Sequence, residues 1–139
     1  MTFTQFVTRH NGKYEDWDGK YGFMCVDLVR FFIDEVLGFP QSSRPAALTA
    51  KQIYLNFKEN EFFRKIPNTI TGVPNKGDII FWGWYPFVTG WAGHVAIFSG
   101  GDTKRFISFD QNYPTGSFCR YYNHDYRGIL GWIEPKQQN

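Results

Sequence analysis

The apolar periodicity of the chain changes partway along it, and that change narrows the architectures open to it. From Cys25 the apolar residues Val26, Leu28, Val29, Phe32, Ile33, Val36 and Leu37 recur at spacings of three and four, until Gly38 and Pro40 end the pattern. This predicts a helix with one buried face. From Gly77 onward the character differs. GDIIFWGW, GHVAIFSG, RFISFDQNY and GILGWIEP are short runs rich in Ile, Val, Phe and Trp, separated by Gly, Pro and Asn. They predict strands joined by hairpin-like intervals. Helices first and a sheet afterward imply an α+β fold, with N-terminal helices packed on an antiparallel sheet rather than a doubly wound parallel one.

Two shorter helices accompany the first. Thr2 or Thr4 caps one that runs through Arg9, and Pro45 with a Thr49, Gln52 capping box introduces another over residues 50–60 that presents Ile53, Tyr54 and Phe57. The 139 residues suffice for one core, so residues 1–139 are expected to form a single domain; no internal repeat is visible. With 15 Lys+Arg against 13 Asp+Glu, the formal charge of +2 gives no electrostatic case for a nucleic-acid partner. Two cysteines make no disulfide framework, and the first residues, MTFTQFVTRHNGKYEDW, lack the pattern of a secretion signal. No apolar run is long enough to insert in a membrane.

Cys25 falls at the predicted helix start, where unpaired N–H groups and the helix dipole favour a thiolate. Taken alone, it is either a nucleophile or an inert buried thiol. His94 follows a glycine at the start of a predicted strand, where its ring can face the end of a helix and act as base. Further along, the FDQN run places Asp110 and Asn112 where a carboxylate or carboxamide can accept from the imidazole and set its tautomer. Cys119 reads as structural within a strand, and His10 and His124 as surface residues. The aromatics Trp82, Trp84, Tyr85 and Trp91 flank the turn before His94; Trp91 and Tyr113 are the candidates for a substrate-binding groove.

The acidic run DWDGKYG precedes Cys25. Counting from Asp16, Asp18 is third, Lys20 fifth, Gly22 seventh and Asp27 twelfth, the spacing of an EF-hand loop. The match is partial. Tyr21 occupies the sixth position, where such loops have glycine, Asp27 replaces the usual glutamate, and Lys20 and Gly22 offer only carbonyls. The alternatives are a Ca²⁺ cage and a solvated acidic turn. A zinc site is the poorer reading, because no paired Cys or His ligands occur at close spacing.

Taken together, YGFMCVDLV, VPNKGDIIFW, GHVAIFSG and FISFDQNY resemble, over residues 16–132, the CHAP family of cysteine, histidine-dependent amidohydrolases and peptidases found in phage lysins and bacterial cell-wall enzymes. The resemblance implies a papain-like (NlpC/P60-type) fold and hydrolysis of an amide bond in bacterial peptidoglycan. Cys25 would be the nucleophile, His94 the base and Asp110 the group orienting it, with Asn112 completing the site. It also implies Ca²⁺ at the acidic loop in a structural or regulatory role; the thiol chemistry itself requires no metal. A phage lysin of this kind, made in a host cytoplasm without a signal peptide, acts at the cell wall after release or as part of a virion, as a monomer. Related NlpC/P60 enzymes usually carry a histidine as the third polar member, so Asp110 with Asn112 favours CHAP. An NlpC/P60-like endopeptidase and a non-catalytic, calcium-dependent wall-binding module are the alternatives. One departure stands out: many family members have a glutamine before the cysteine, where this chain has Met24. A thioether cannot donate a hydrogen bond, which leaves the second oxyanion donor unassigned.

Overall fold

The computed structural model describes residues 1–20, 22–44, 46–84 and 90–138. The expectations placed on Tyr21, Pro45 and Tyr85 fall outside the described residues. Helix α1 spans Phe3–His10 and opens with a complete capping box: Gln5 N–H donates to the Thr2 hydroxyl at 3.1 Å, and Thr2 N–H donates to Gln5 Oε1 at 2.8 Å. Helix α2 spans Cys25–Phe32 and passes into a π-helical stretch, Ile33–Leu37, that ends where Gly38 takes a left-handed φ of 66°. The wider stretch presents Asp34 to Trp17 Nε1 at 2.7 Å and Glu35 to Arg9 at 2.9 Å, which ties this helix to the segments before it.

Helix α3 spans Ala50–Asn56 and ends four residues before the expected limit at 60. The reason is local. Phe57 is already extended, and Asn60 Oδ1 accepts from the N–H groups of Phe62 and Phe63 at 2.8 and 2.9 Å, so this segment introduces a strand instead of prolonging a helix.

Among the described residues six strands follow: β1 Phe63–Pro67, β2 Ile79–Trp82, β3 His94–Gly101, β4 Arg105–Asp110, β5 Arg120–Asp125 and β6 Ile129–Pro135. They form one sheet in the order β1-β6-β2-β3-β4-β5, with every pairing antiparallel. The α+β architecture expected from the sequence is therefore the one observed. Strand β1, FRKIP, carries two charges and a terminal proline, and nothing in its pattern announced it. Cys119 lies just ahead of β5, not within it.

Sheet periodicity divides the core in two. Ile79, Phe81, Val95, Ile97, Phe109 and Ile133 pack with Phe6, Leu28, Phe32 and Ile53 of the helices. Their neighbours Ile80, Trp82, Ala96, Phe98, Phe106 and Trp132 point the other way and pack largely on one another. Burial on both faces explains why β2 reads as an unbroken apolar run, IIFW, rather than alternating.

The turn into β2 depends on Asp78, whose carboxylate accepts from Asn75 N–H at 2.8 Å while its own N–H donates to Asn75 O at 2.9 Å. Burial, aided by the charge of Glu134, pushes this carboxyl up to about 7. A carboxyl raised in the folded state costs nothing while protonated; its penalty grows from the ordinary carboxylate range up to about pH 7 and then stays constant. Asp78→Asn, which keeps an acceptor and removes the charge, is therefore expected to raise the melting temperature at pH 8 and to leave it nearly unchanged at pH 4, as read by calorimetry.

Candidate active site

Cys25 is half-buried at the first position of α2, where the N–H groups of the opening turn lack helical partners. The turn is held from within: the Asp27 carboxylate accepts from Met24 N–H at 2.9 Å. It is also held from across the molecule. Gln111, fully buried after the end of β4, donates its amide to Glu15 O at 2.8 Å and Met24 O at 2.7 Å, and accepts from Glu15 N–H at 2.7 Å. The Cys119 thiol donates to the same amide oxygen at 3.2 Å, and burial pushes that thiol up to about 12, which suits a structural group.

His94 is the first residue of β3, opposite Trp82 of β2. Its Nε2 donates to Asp110 Oδ2 at 2.7 Å, and His94 and Cys25 line one cleft, where the sulfur favours the charged form of the ring. Asp110 is completely buried. Burial alone would raise its carboxyl, but donors from His124 and His94 outweigh this and hold it below the ordinary carboxylate range. An ionised carboxylate only accepts hydrogen bonds, so Nε2 of His94 carries a proton and Nδ1 is left to face the sulfur. For His94 too, burial works against charge; the Asp110 carboxylate and the Cys25 sulfur reverse this and raise it to about 9. The structure thus brings Cys25, His94 and Asp110 into one array.

The Asn112 backbone is left-handed, at φ 62°, and its Oδ1 accepts from Gly116 N–H at 2.7 Å, so the carboxamide oxygen shapes the turn after β4, and it is Asp110 that accepts from the His94 ring. Asn112 still lines the cleft of about 210 Å³ that holds Cys25 and His94, together with Met24, Leu48 and Tyr113. Tyr113 packs on the His94 ring at 4.9 Å between centroids. Trp91 is 75% exposed and is not one of the residues lining this cleft.

Two histidines expected on the surface are buried. His10 bridges Glu15 at 2.7 Å and Glu35 at 2.9 Å, and His124 Nε2 donates to Asp110 Oδ2 at 3.0 Å. His124 and Gln111 belong to the site's surroundings, and no spacing in the sequence announced either. His124 reaches the site from β5, the strand next to β4, and Gln111 from the residue directly after Asp110.

In the acidic loop, carboxylate oxygens of Asp16, Asp18 and Asp27 lie within 4.8 Å of one another. That separation suits oxygen ligands about 2.3–2.6 Å from a shared cation. Burial raises the Asp27 carboxyl, and the neighbouring Asp18 and Asp16 charges add to this, so the cluster favours positive charge nearby. Arg30 supplies part of it, at 3.3 Å from Asp18 and 3.7 Å from Asp27. Lys20 N–H donates to Asp18 Oδ1 at 2.9 Å, and Gly22 has a φ of 71°.

No family model matches the chain, and no curated protein matches it. Solved structures do. The wild-type endolysin LysIME-EF1 superposes with a TM-score of 0.75 at 26% identity, covering 94% of this chain and 61% of its own. Ly7917 gives 0.68 at 16% identity, over 94% of this chain and 59% of its own. Ly7917 with the hydrolyzing product of MDP gives 0.61 at 17% identity, over 81% and 53%. The chain therefore spans less than two thirds of each of these proteins, and its fold is shared with an endolysin and with Ly7917.

Two outcomes follow from the geometry. Because the folded state raises His94 from 6.5 to about 9, its contribution to stability is fully present below pH 6.5 and is lost as pH rises through about 9. The melting temperature should fall across that window, and His94→Gln should flatten the fall. Gln111→Leu removes the donor to the Glu15 and Met24 carbonyls and the acceptor for Glu15 N–H and should cost about 2–4 kcal/mol in denaturant unfolding.

Proposed function

We propose that this chain is a CHAP-type peptidoglycan hydrolase that cleaves an amide bond by thiol chemistry. The observation that carries the reading is the Cys25, His94, Asp110 array, in which a half-buried thiol at a helix start meets an imidazole anchored by a buried carboxylate. The endolysin likeness of the fold supports peptidoglycan as substrate, as does the MDP product described for Ly7917.

His94, raised to about 9, holds on Nδ1 at neutral pH the proton that the Cys25 thiol gives up, and the sulfur attacks the amide carbon as a thiolate. The carbonyl oxygen becomes an oxyanion beside the open N–H groups of the first turn of α2, the Cys25 N–H among them. Its collapse breaks the C–N bond as His94 returns the proton to the leaving amine. Water, deprotonated by His94, then hydrolyses the thioester and frees the thiol. Throughout, Asp110 keeps the proton on Nε2 and the ring in place. Met24 contributes no oxyanion donor from its side chain. The cleft wall formed by Leu48, Met24 and Tyr113 offers an apolar bed for a peptide.

Asp16, Asp18 and Asp27 would hold a calcium ion, with the Lys20 and Gly22 carbonyls as the further ligands the spacing suggests. The ion would neutralise the loop and stiffen the turn entering α2. As a monomeric phage lysin, the protein would act at the cell wall after release from a host cytoplasm or as part of a virion.

Turbidity loss of purified Gram-positive walls measures the activity, and mass spectrometry of the digest identifies the bond. Cys25→Ala and His94→Ala should each lower the rate by about a thousandfold or more while the circular dichroism spectrum is retained. Full activity in either variant would overturn the thiol mechanism. Chelation should lower the melting temperature of the native protein, calcium should restore it, and Asp18→Ala should abolish the response. Indifference to chelator and calcium would return the loop to a solvated acidic turn.

A further inference from the structure

Asp110 carries more hydrogen bonds than a simple histidine-orienting group needs. Its Oδ1 accepts from the Ser108 hydroxyl, while Oδ2 accepts from His94 Nε2 at 2.7 Å and from His124 Nε2 at 3.0 Å. All three donors are buried. His124 belongs to β5, across β4 from the His94 strand, and its ring is fixed on several sides. Trp82 lies at 4.7 Å between centroids, Tyr122 at 4.8 Å, Tyr113 at 5.0 Å and Phe106 at 5.3 Å.

We propose that His124 is a positioning residue of the site, donating its Nε2–H to Asp110 Oδ2 and so fixing the carboxylate in the orientation that anchors His94. The proposal rests on the thiol-hydrolase reading above. Its physical basis is the cost of a buried charge: a carboxylate sealed from water needs donors on both oxygens. With His94 as the sole partner of Oδ2, the imidazolium could pass its Nε2 proton to the carboxylate, leaving a neutral ring protonated at Nδ1 and unable to take a proton from the thiol. A second donor on the same oxygen opposes that transfer and limits rotation of the carboxylate. Around His124, Arg105 bonds Asn123 at 3.2 Å and Arg127 bonds Asp125 at 2.7 Å, while Tyr113 and Tyr122 pack their rings against the imidazole.

The test compares His124→Phe, which preserves ring volume and removes the donor, with His124→Gln, which retains an amide donor. Rates on soluble peptidoglycan fragments separate kcat from KM. His124→Phe should lower kcat by about ten- to a hundredfold, the effect of one hydrogen bond to a charged group, with KM unchanged. His124→Gln should recover most of that loss. A wild-type kcat in the Phe variant overturns the proposal, as does a Gln variant as impaired as the Phe variant. Should His124→Phe fail to fold, ¹⁵N-histidine spectra of the unmutated protein decide: a protonated His124 Nε2 at the pH of activity supports the role, and an unprotonated one overturns it. Activity surviving in Cys25→Ala would sink the thiol reading itself. An inert Cys25→Ala beside an unimpaired His124→Phe would sink this proposal alone.

Discussion

The site depends on one buried charge, the carboxylate of Asp110. An isolated carboxylate in an apolar interior would take up a proton, and a neutral acid would lose its hold on the imidazolium it faces. The fold prevents this with donors from three places on the sheet: Ser108 on its own strand, His94 on one neighbouring strand and His124 on the other. Each of those partners is itself confined. His94 lies between Trp82 and Tyr113, and His124 sits among Trp82, Phe106, Tyr113 and Tyr122. The aromatic abundance of the chain therefore walls in the polar network as well as filling the core. It is this enclosure that makes the hydrogen bonds strong and directional.

A second set of bonds carries that order to the thiol. Residue 111 follows Asp110 directly, and its amide takes hold of the Glu15 and Met24 backbone, so the strand end that orients His94 also holds the turn that presents Cys25. Glu15 is gripped in turn by His10, which also holds Glu35 at the end of the long helix. In this way the segment before Cys25 is pinned to β4 on one side and to the helices on the other. The proposed chemistry, with a thiol and a base on different elements, depends on such cross-links because small displacements between reacting groups cost rate steeply.

The acidic loop shows the same economy in a more exposed setting. Asp27 stabilises the turn before Cys25 while sharing the Asp16, Asp18 cluster, and Arg30, one turn further along α2, answers part of the negative charge. A calcium ion at this cluster, as proposed, would act on the nucleophile only through that turn.

Much of this was legible in the sequence because it is local. The three- and four-residue spacing after Cys25, the Thr2 and Thr49 caps and the Ile, Val and Phe runs of β2, β3, β4 and β6 follow from backbone periodicity, which neighbouring residues dictate. Candidate chemistry was legible for the same reason: a cysteine at a helix start and a histidine at a strand start lie where their side chains can leave the core. Other features could be decided only in three dimensions. Strand β1 pairs along β6, nearly seventy residues away, and its charged, proline-ended sequence has no strand signature of its own. His10 and His124 look like surface residues until folding closes carboxylates around them. That the Asn112 Oδ1 accepts from Gly116 N–H follows from the folded turn after β4. Local sequence sets which residues can form an element; which buried donor meets which buried acceptor is settled by strands brought together from distant parts of the chain.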